Sequence, residues 1–193
     1  MGIEPLHEHA EHNLRFIREK MDHATSFTAV PGWGGVLMGV IGLAAAAVGS
    51  IQPTPARWMA TWMAAAAVAL LVGGWAMDRK TRASGTELFA GKGRKFIFSL
   101  SPPLRSGAVL TWVLYQGGLV GAIPGVWLLM YGTAAVTGGA FSIRIVPIMG
   151  LCFMILGGIA LLLPAAWGDW MLAIGFGGVQ LVSGLVIVRK YGG

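Results

Sequence analysis

The residues best suited to chemistry are the four histidines of the chain, His7, His9, His12 and His23, which all lie within the first 23 positions. Carboxylates separate the first three, in the segment HEHAEH. Imidazoles and carboxylates are common zinc ligands, and an imidazole also titrates near neutral pH. Three interpretations are therefore open: a metal site, a pH-sensitive face, or the ordinary polar face of a helix.

Residues 3–23 follow a helical period, which narrows these interpretations. His9 and His12 lie about 60° apart on a helix, whereas His7 points roughly 160° away from His9. One helix therefore cannot bring three histidines to one zinc ion, and we expect no metal site. The pattern predicts an amphipathic cytoplasmic helix that lies on the membrane or under the bundle. A plain polar face is favoured, and a pH-sensitive face of His9, His12 and Glu8 is the alternative.

The remainder of the chain is too apolar for a soluble domain. Of its 193 residues, 55% are hydrophobic and 11% are charged, and the mean hydropathy is +0.70. Soluble domains carry about 25% charged residues. No Asp, Glu, Lys or Arg occurs in 34–56, 58–77, 106–143, 145–168 or 170–188. Because a bilayer core takes about 20 apolar residues per helix, the composition predicts an all-α integral membrane protein.

We predict six transmembrane helices in three hairpins, at 34–51, 57–77, 106–123, 124–140, 144–163 and 168–188. The divisions fall where Pro and Gly favour turns, as at 52–55 and 122–125. Residues 1–30 are assigned to the amphipathic helix and a linker, and residues 31–193 to the transmembrane domain. Residues 78–105 are predicted to form a basic cytoplasmic loop. The fourth span is the shortest and could cross the membrane only in part.

Positive charge predicts the orientation. All Lys and Arg residues except Arg57 lie before span 1, between spans 2 and 3, at the turn between spans 4 and 5, or after span 6. By the positive-inside rule, both termini are cytoplasmic and the protein lies in the cell membrane. This topology, together with attraction to anionic headgroups, explains the net charge of +6 without nucleic acid as a partner.

A two-helix pattern occurs twice. The spacing Val-Pro-x-x-Gly-x-x-x-Met-x-x-x-Gly-x-Ala is found at 30–44 and again at 146–160. Since the copies lie four spans apart, they share an orientation, which predicts a parallel internal repeat. The alternative is a chance alignment of two spans rich in Gly and Ala.

The second copy leads into the segment GGIALLLPAAWGDWMLAIGFGGVQLVSGLVIVRK, residues 157–190. This segment resembles the two-helix short repeat of the HdeD-type acid-resistance membrane proteins. The similarity lies mainly in residues 144–190 and extends loosely to the first hairpin. It implies a six-helix fold of Gly-rich hairpins and a link to stress, and it identifies no site residue.

Small residues spaced four apart predict close helix packing, as in the series Gly117, Gly121 and Gly125. Packing within one bundle is favoured, and a seam between the subunits of a homo-oligomer is the alternative.

The interior of the spans lacks the ionisable groups that proton relays, haem ligation and metal-dependent hydrolysis require. We therefore expect neither an enzyme nor a bound cofactor. The best polar candidates at mid-depth are Gln116, Gln180, Tyr115 and Thr111. An amide in hydrocarbon needs a partner, so Gln116 and Gln180 could bond to each other or line a small cavity.

Two functions follow from these patterns. The favoured one is a non-catalytic, stress-related membrane protein that senses stress or binds an unidentified protein partner through its cytoplasmic helix and basic loop. The alternative is a small channel or carrier for neutral or apolar solutes. A carrier should show a cavity with polar groups near mid-bilayer, whereas a sensor should show a filled core.

Overall fold

The computed structural model describes residues 30–83 and 91–191, so the predicted amphipathic helix and its histidines lie outside the described residues. Six helical rods follow one another in the described part. They are α1, Gly32–Gly49; α2, Pro55–Ala83; α3, Gly91–Gln116; α4, Ile123–Gly139; and α5, Ile145–Leu162. The sixth rod, α6, runs over 168–191 as α-helical Gly168–Leu172, π-helical Ala173–Val179 and α-helical Gln180–Tyr191. The 3₁₀ turns Val120–Ala122 and Ala165–Trp167 precede α4 and α6.

Within the described residues, every rod except α3 is long and apolar enough to cross a membrane. Their outward faces carry large apolar side chains, such as Leu71 and Leu162, which are 74% and 89% exposed. In α2, only Trp62 and Thr81 are buried. Such continuous apolar surface suits lipid and not water. The prediction of an all-helical chain with several long apolar helices is confirmed.

The third helix differs from its predicted bounds. A loop was expected at 78–105 and a span at 106–123, but 78–83 continue α2 and α3 already begins at Gly91. The helix then ends at Gln116, before a turn in which Gly118 adopts φ +71°. A charge-free block shows where apolar residues lie, but a helix can extend through charged residues beyond it. The sequence therefore misplaced both ends of this helix.

A Pro-Pro pair at 102–103 lies inside α3. Because proline has no N–H, it leaves the carbonyls four residues earlier, those of Phe98 and Ser99, without their helical donors. Ser101 Oγ donates to the Phe98 carbonyl at 3.1 Å. Thr137 Oγ1 of α4 lies 2.9 Å from the Ser99 carbonyl oxygen. The Ser101 hydroxyl thus replaces one missing donor. The Thr137 hydroxyl, which also lies 3.0 Å from the Thr133 carbonyl oxygen of its own helix, contacts the other free carbonyl and joins α3 to α4.

Glycines line the seam between α4 and α5. A Cβ atom on Gly132 would lie 2.6 Å from the Gly150 carbonyl oxygen, and a Cβ atom on Gly150 would lie 2.7 Å from that of Gly132. Gly125 and Gly157 face each other in the same way, two turns further along. Residues seven apart return to nearly the same face of a helix, so these glycines let two backbones touch along one line.

A similar seam joins α1 to α6, which run antiparallel. Gly35 faces Gly184, and a Cβ atom on Gly42 would lie 2.5 Å from the Phe176 carbonyl oxygen. The two seams fix α1, α4, α5 and α6 as the packed part of the bundle, and α2 and α3 lie on its outside.

The predicted series Gly117, Gly121 and Gly125 does not form a stripe on one helix. Gly117 follows α3, Gly121 lies in a 3₁₀ turn, and Gly125 lies in α4 against Leu161. The geometric basis of the predicted oligomer seam was therefore wrong, because the chain turns between the first and third glycine.

The two copies of the sequence repeat pack differently. Gly42 lies against α6, whereas a Cβ atom on the matching Gly158 would meet no atom within 4 Å. The second helices of the two hairpins also share a Trp-Met pair, Trp58-Met59 and Trp170-Met171; Trp58 is half-buried, whereas Trp170 is 67% exposed. The parallel repeat stays a prediction from the sequence, and its two copies differ in packing at these two positions.

Basic residues gather at one end of the bundle. Lys80 Nζ donates to the Val30 carbonyl at 3.1 Å and lies 3.5 Å from the Tyr191 carbonyl oxygen. These contacts bring together the start of α1 and the ends of α2 and α6. The contact of Gly138 with Leu100 places the early part of α3 against the end of α4. The basic residues at this end are Arg79, Lys80, Arg82, Arg94, Lys95, Arg144, Arg189 and Lys190.

Candidate functional site

A crevice of about 430 Å³ separates α2 from α3, and α1, α4 and α6 form its inner wall. Its walls are apolar and include Met38, Met63 and Met130. Leu70 and Leu104, which line it on α2 and α3, are 67% and 39% exposed. The crevice therefore opens on the apolar outer surface of the bundle, between the two helices that the glycine seams leave outside.

Aromatic rings form the inner wall. Phe176 lies at the centre, with its ring centroid 5.1 Å from that of Tyr131 and 6.4 Å from that of Trp62. Phe153 packs behind it at 5.2 Å and is fully buried. Edge and tilted contacts of this kind stabilise a rigid apolar surface, so the wall is preformed.

Two hydrogen-bonded pairs place polar groups on this wall. The Tyr131 hydroxyl donates to Gln180 Oε1 at 3.1 Å, and Trp127 Nε1 donates to Thr111 Oγ1 at 2.8 Å. Thr111 in turn donates to the Gly107 carbonyl at 2.7 Å. Tyr131 and Gln180 lie about half-way along α4 and α6, whereas Trp127 lies near the start of α4 and Thr111 near the end of α3.

The π-helical segment Ala173–Val179 positions two of these side chains, because it carries Phe176 and ends directly before Gln180. It is rich in glycine, and a Cβ atom on Gly175 or Gly177 would overlap Leu128 or Leu43. π-Helical turns are rare and are frequent at functional sites. The widened turn here allows α6 to contact α1 and α4 closely while Phe176 and Gln180 face the crevice.

A second cavity, of about 320 Å³, lies at the end of the bundle opposite the basic residues. Asp169 lines it, and one carboxylate oxygen of Asp169 accepts hydrogen bonds from Trp58 Nε1 at 2.8 Å and Trp62 Nε1 at 3.2 Å. The Trp58 ring stacks on Trp127 with centroids 5.5 Å apart and an angle of 7°. Trp58 lines this end cavity, whereas Trp62 and Trp127 line the crevice. The tryptophan cluster therefore separates the two cavities.

The structure places two of the four predicted polar residues at the crevice and the other two elsewhere. Gln180 and Thr111 both line the crevice. Gln116 is exposed at the end of α3, and Tyr115 beside it is half-buried, and neither lines the crevice. Gln180 bonds to Tyr131 and not to Gln116. His9, His12 and Glu8 lie outside the described residues.

Sequence reasoning missed the aromatic residues of the wall and the carboxylate of Asp169. A signal was present for the latter, since Asp169 is the only Asp or Glu in 88–193. It lies at the start of the predicted span 168–188. No comparable signal distinguished Trp62, Trp127 or Phe176 from aromatic residues that face lipid.

Comparison of the chain with protein-family models, with curated proteins and with solved structures finds no match. The arrangement of its side chains therefore carries the argument. Among the described residues, the polar side chains that line the crevice are Trp62, Thr111, Trp127, Tyr131 and Gln180. None of these is a strong acid or base, so the crevice is suited to holding a molecule and not to transferring protons.

Proposed function

We propose that this chain is an integral membrane protein that binds an apolar or amphipathic small molecule from the bilayer and acts as a carrier for it. The crevice between α2 and α3 is the observation that carries this proposal. Its volume of about 430 Å³ is typical of small-molecule sites, which also combine apolar walls with a few fixed polar groups. A molecule dissolved in the lipid would reach it sideways, without crossing an aqueous phase.

The alternative, stress sensing or partner binding through a cytoplasmic helix, depends on residues outside the described part of the chain. It remains a prediction, as does the link to acid stress that the resemblance to HdeD-type proteins implies. The carrier is favoured because it explains why α2 and α3 are held apart.

We also propose a six-span topology in the cell membrane, in which α3 crosses beside the five longer apolar rods and both termini and the end of α2 lie in the cytoplasm. The clustering of basic residues at one end of the bundle supports it, by the positive-inside rule. In a Cys152→Ala background, Ala166→Cys should react with an impermeant maleimide added outside intact cells, and Ala83→Cys should react only after permeabilisation. Labelling of position 83 from outside would reverse the orientation, and labelling of both positions from one side would change the number of spans.

A photoreactive alkane tests the binding function. We expect a diazirine-bearing hexadecane to label the purified protein in nanodiscs with a saturable component that excess hexadecane removes. Ala66→Trp should abolish most of this component, because Ala66 lines the crevice and an indole would fill it. The measurement is the label incorporated per protein, determined by intact-mass spectrometry over a range of probe concentrations.

The neighbouring Ala67→Trp provides the control, since Ala67 is also an exposed alanine of α2 but does not line the crevice. This variant should keep the saturable component. If the wild type shows only labelling that rises linearly with probe concentration, the crevice is ordinary lipid-facing surface and the proposed function is wrong.

A further inference from the structure

Gln180 is the polar side chain of the crevice whose hydrogen bonding is incomplete. A primary amide has an acceptor oxygen and an NH₂ group with two donors. The oxygen accepts the Tyr131 hydroxyl at 3.1 Å, whereas Nε2 has no acceptor among the described residues. The side chain is only 6% exposed, yet no fully buried side-chain nitrogen or oxygen in the described part lacks a partner. The Nε2 group therefore keeps some accessible surface, and Gln180 is one of the residues that line the crevice.

The other donors of the lining side chains are already engaged. Trp127 Nε1 donates to Thr111, and the Thr111 hydroxyl donates to the Gly107 carbonyl. Trp62 Nε1 donates to Asp169, and the Tyr131 hydroxyl donates to Gln180. In the described wall, the Gln180 NH₂ is thus the one donor group without an acceptor, and the other lining residues are mainly Met, Ala, Leu and aromatic residues. An amide N–H in such surroundings costs free energy unless an acceptor is supplied.

We propose that the ligand is an apolar molecule with a carbonyl oxygen, and that Gln180 Nε2 donates a hydrogen bond to that oxygen. This inference rests on the proposed binding function and adds to it the chemical class of the ligand. A carbonyl oxygen accepts without bringing a donor of its own into the apolar wall. A carboxylate would need a counter-ion, and the described lining contains no Lys, Arg or His.

Two kinds of molecule share this chemistry. One is an acyl chain that ends in an ester, as bilayer lipids supply, and the other is a flat ring ketone, which would stack on the aromatic wall. The position of Gln180, half-way along α6, suits both. Matched pairs of competitors separate them, because the two members of each pair are similar in size and shape and only one of them carries carbonyl oxygen.

The experiment measures displacement of the diazirine-bearing hexadecane from the Cys152→Ala protein in nanodiscs. The chain pair is methyl palmitate against octadecane, and the ring pair is 2-methyl-1,4-naphthoquinone against 2-methylnaphthalene, each at its measured concentration in the bilayer. In one pair, we expect the carbonyl compound to compete roughly 2- to 12-fold better, the ratio that one net hydrogen bond provides. The pair that shows this advantage identifies the source of the carbonyl.

Gln180→Met, which keeps the length of the side chain without its donor, should remove the advantage and leave saturable alkane labelling intact. Ser183→Ala removes a polar group from the same helix outside the crevice and should retain the advantage. If Gln180→Met does not fold, Tyr131→Phe serves as the second variant. It frees the amide to turn away, so it should reduce the advantage.

The outcomes separate the two proposals. Equal competition within both pairs, or an advantage that persists in Gln180→Met, overturns the assignment of the carbonyl to Gln180 while the crevice remains a binding site. Absence of saturable labelling in the wild type overturns the binding function itself and the inference with it.

Discussion

Gly150→Ala is expected to destabilise the folded bundle by about 1–3 kcal/mol relative to Gly158→Ala, the range for inserting a methyl group into a packed interior. Both glycines lie on α5, so the change in helix propensity is the same in both variants and cancels in the comparison. At position 150, the new Cβ would lie 2.7 Å from the Gly132 carbonyl oxygen and 2.8 Å from the Val136 nitrogen. At position 158, it would meet nothing within 4 Å. Backbone atoms cannot move aside as a flexible side chain does, so the helices must separate.

The measurement is unfolding in mixed micelles with rising SDS, followed by far-ultraviolet circular dichroism. Gly158→Ala should be as stable as the wild type or more stable by up to about 1 kcal/mol, since alanine favours helix over glycine. Equal transitions for the two variants would show that α4 and α5 do not touch at Gly132 and Gly150.

Asp169→Ala is expected to cost about 1.5–3 kcal/mol, the range for hydrogen bonds to a charged group. The substitution leaves the indole N–H groups of Trp58 and Trp62 without their shared acceptor, and Trp62 is buried. Asp169→Asn should lose less, because its side-chain oxygen can still accept from both indoles. The same unfolding experiment measures the loss.

A double-mutant cycle with Trp62→Phe tests whether Asp169 stabilises the bundle through the Trp62 indole. If Asp169 acts through this indole, the loss on Asp169→Ala should be smaller in the Trp62→Phe background than in the wild type. Additive losses in the double variant would mean that the carboxylate does not stabilise the bundle through Trp62.

The sequence predicted the features of the fold that depend mainly on one property, the length of an apolar block. The class and the approximate positions of α1, α4, α5 and α6 followed from long apolar blocks, because apolar length is what a bilayer requires of a helix. The ends of α3 did not follow, because the charge-free block begins only at 106, whereas the helix begins at Gly91 and continues through Pro102 and Pro103. The hydroxyls of Ser101 and Thr137, which contact the free carbonyls there, are recognisable only in three dimensions.

The candidate site was predictable only in part. Gln180 could be singled out because an amide is rare among apolar residues and must find a partner. Its actual partner, Tyr131, is 49 positions away in the chain and offers no local signal. The crevice itself results from which helices pack through glycine. Along α4 and α5 those glycines are spaced seven apart, whereas the expected packing pattern was a spacing of four.

The central claim is that an apolar molecule occupies the crevice between α2 and α3, and the most direct test is where the photoreactive alkane reacts. Tandem mass spectrometry of the labelled protein in nanodiscs should place the competitor-sensitive adducts on Met63 and Ala66 of α2, Ala108 of α3 and Met130 of α4. Labelling of Leu71 and Leu162, which are exposed outside the crevice, should be insensitive to competitor. Competitor-sensitive adducts on those outer leucines, with none on the crevice residues, would contradict the account.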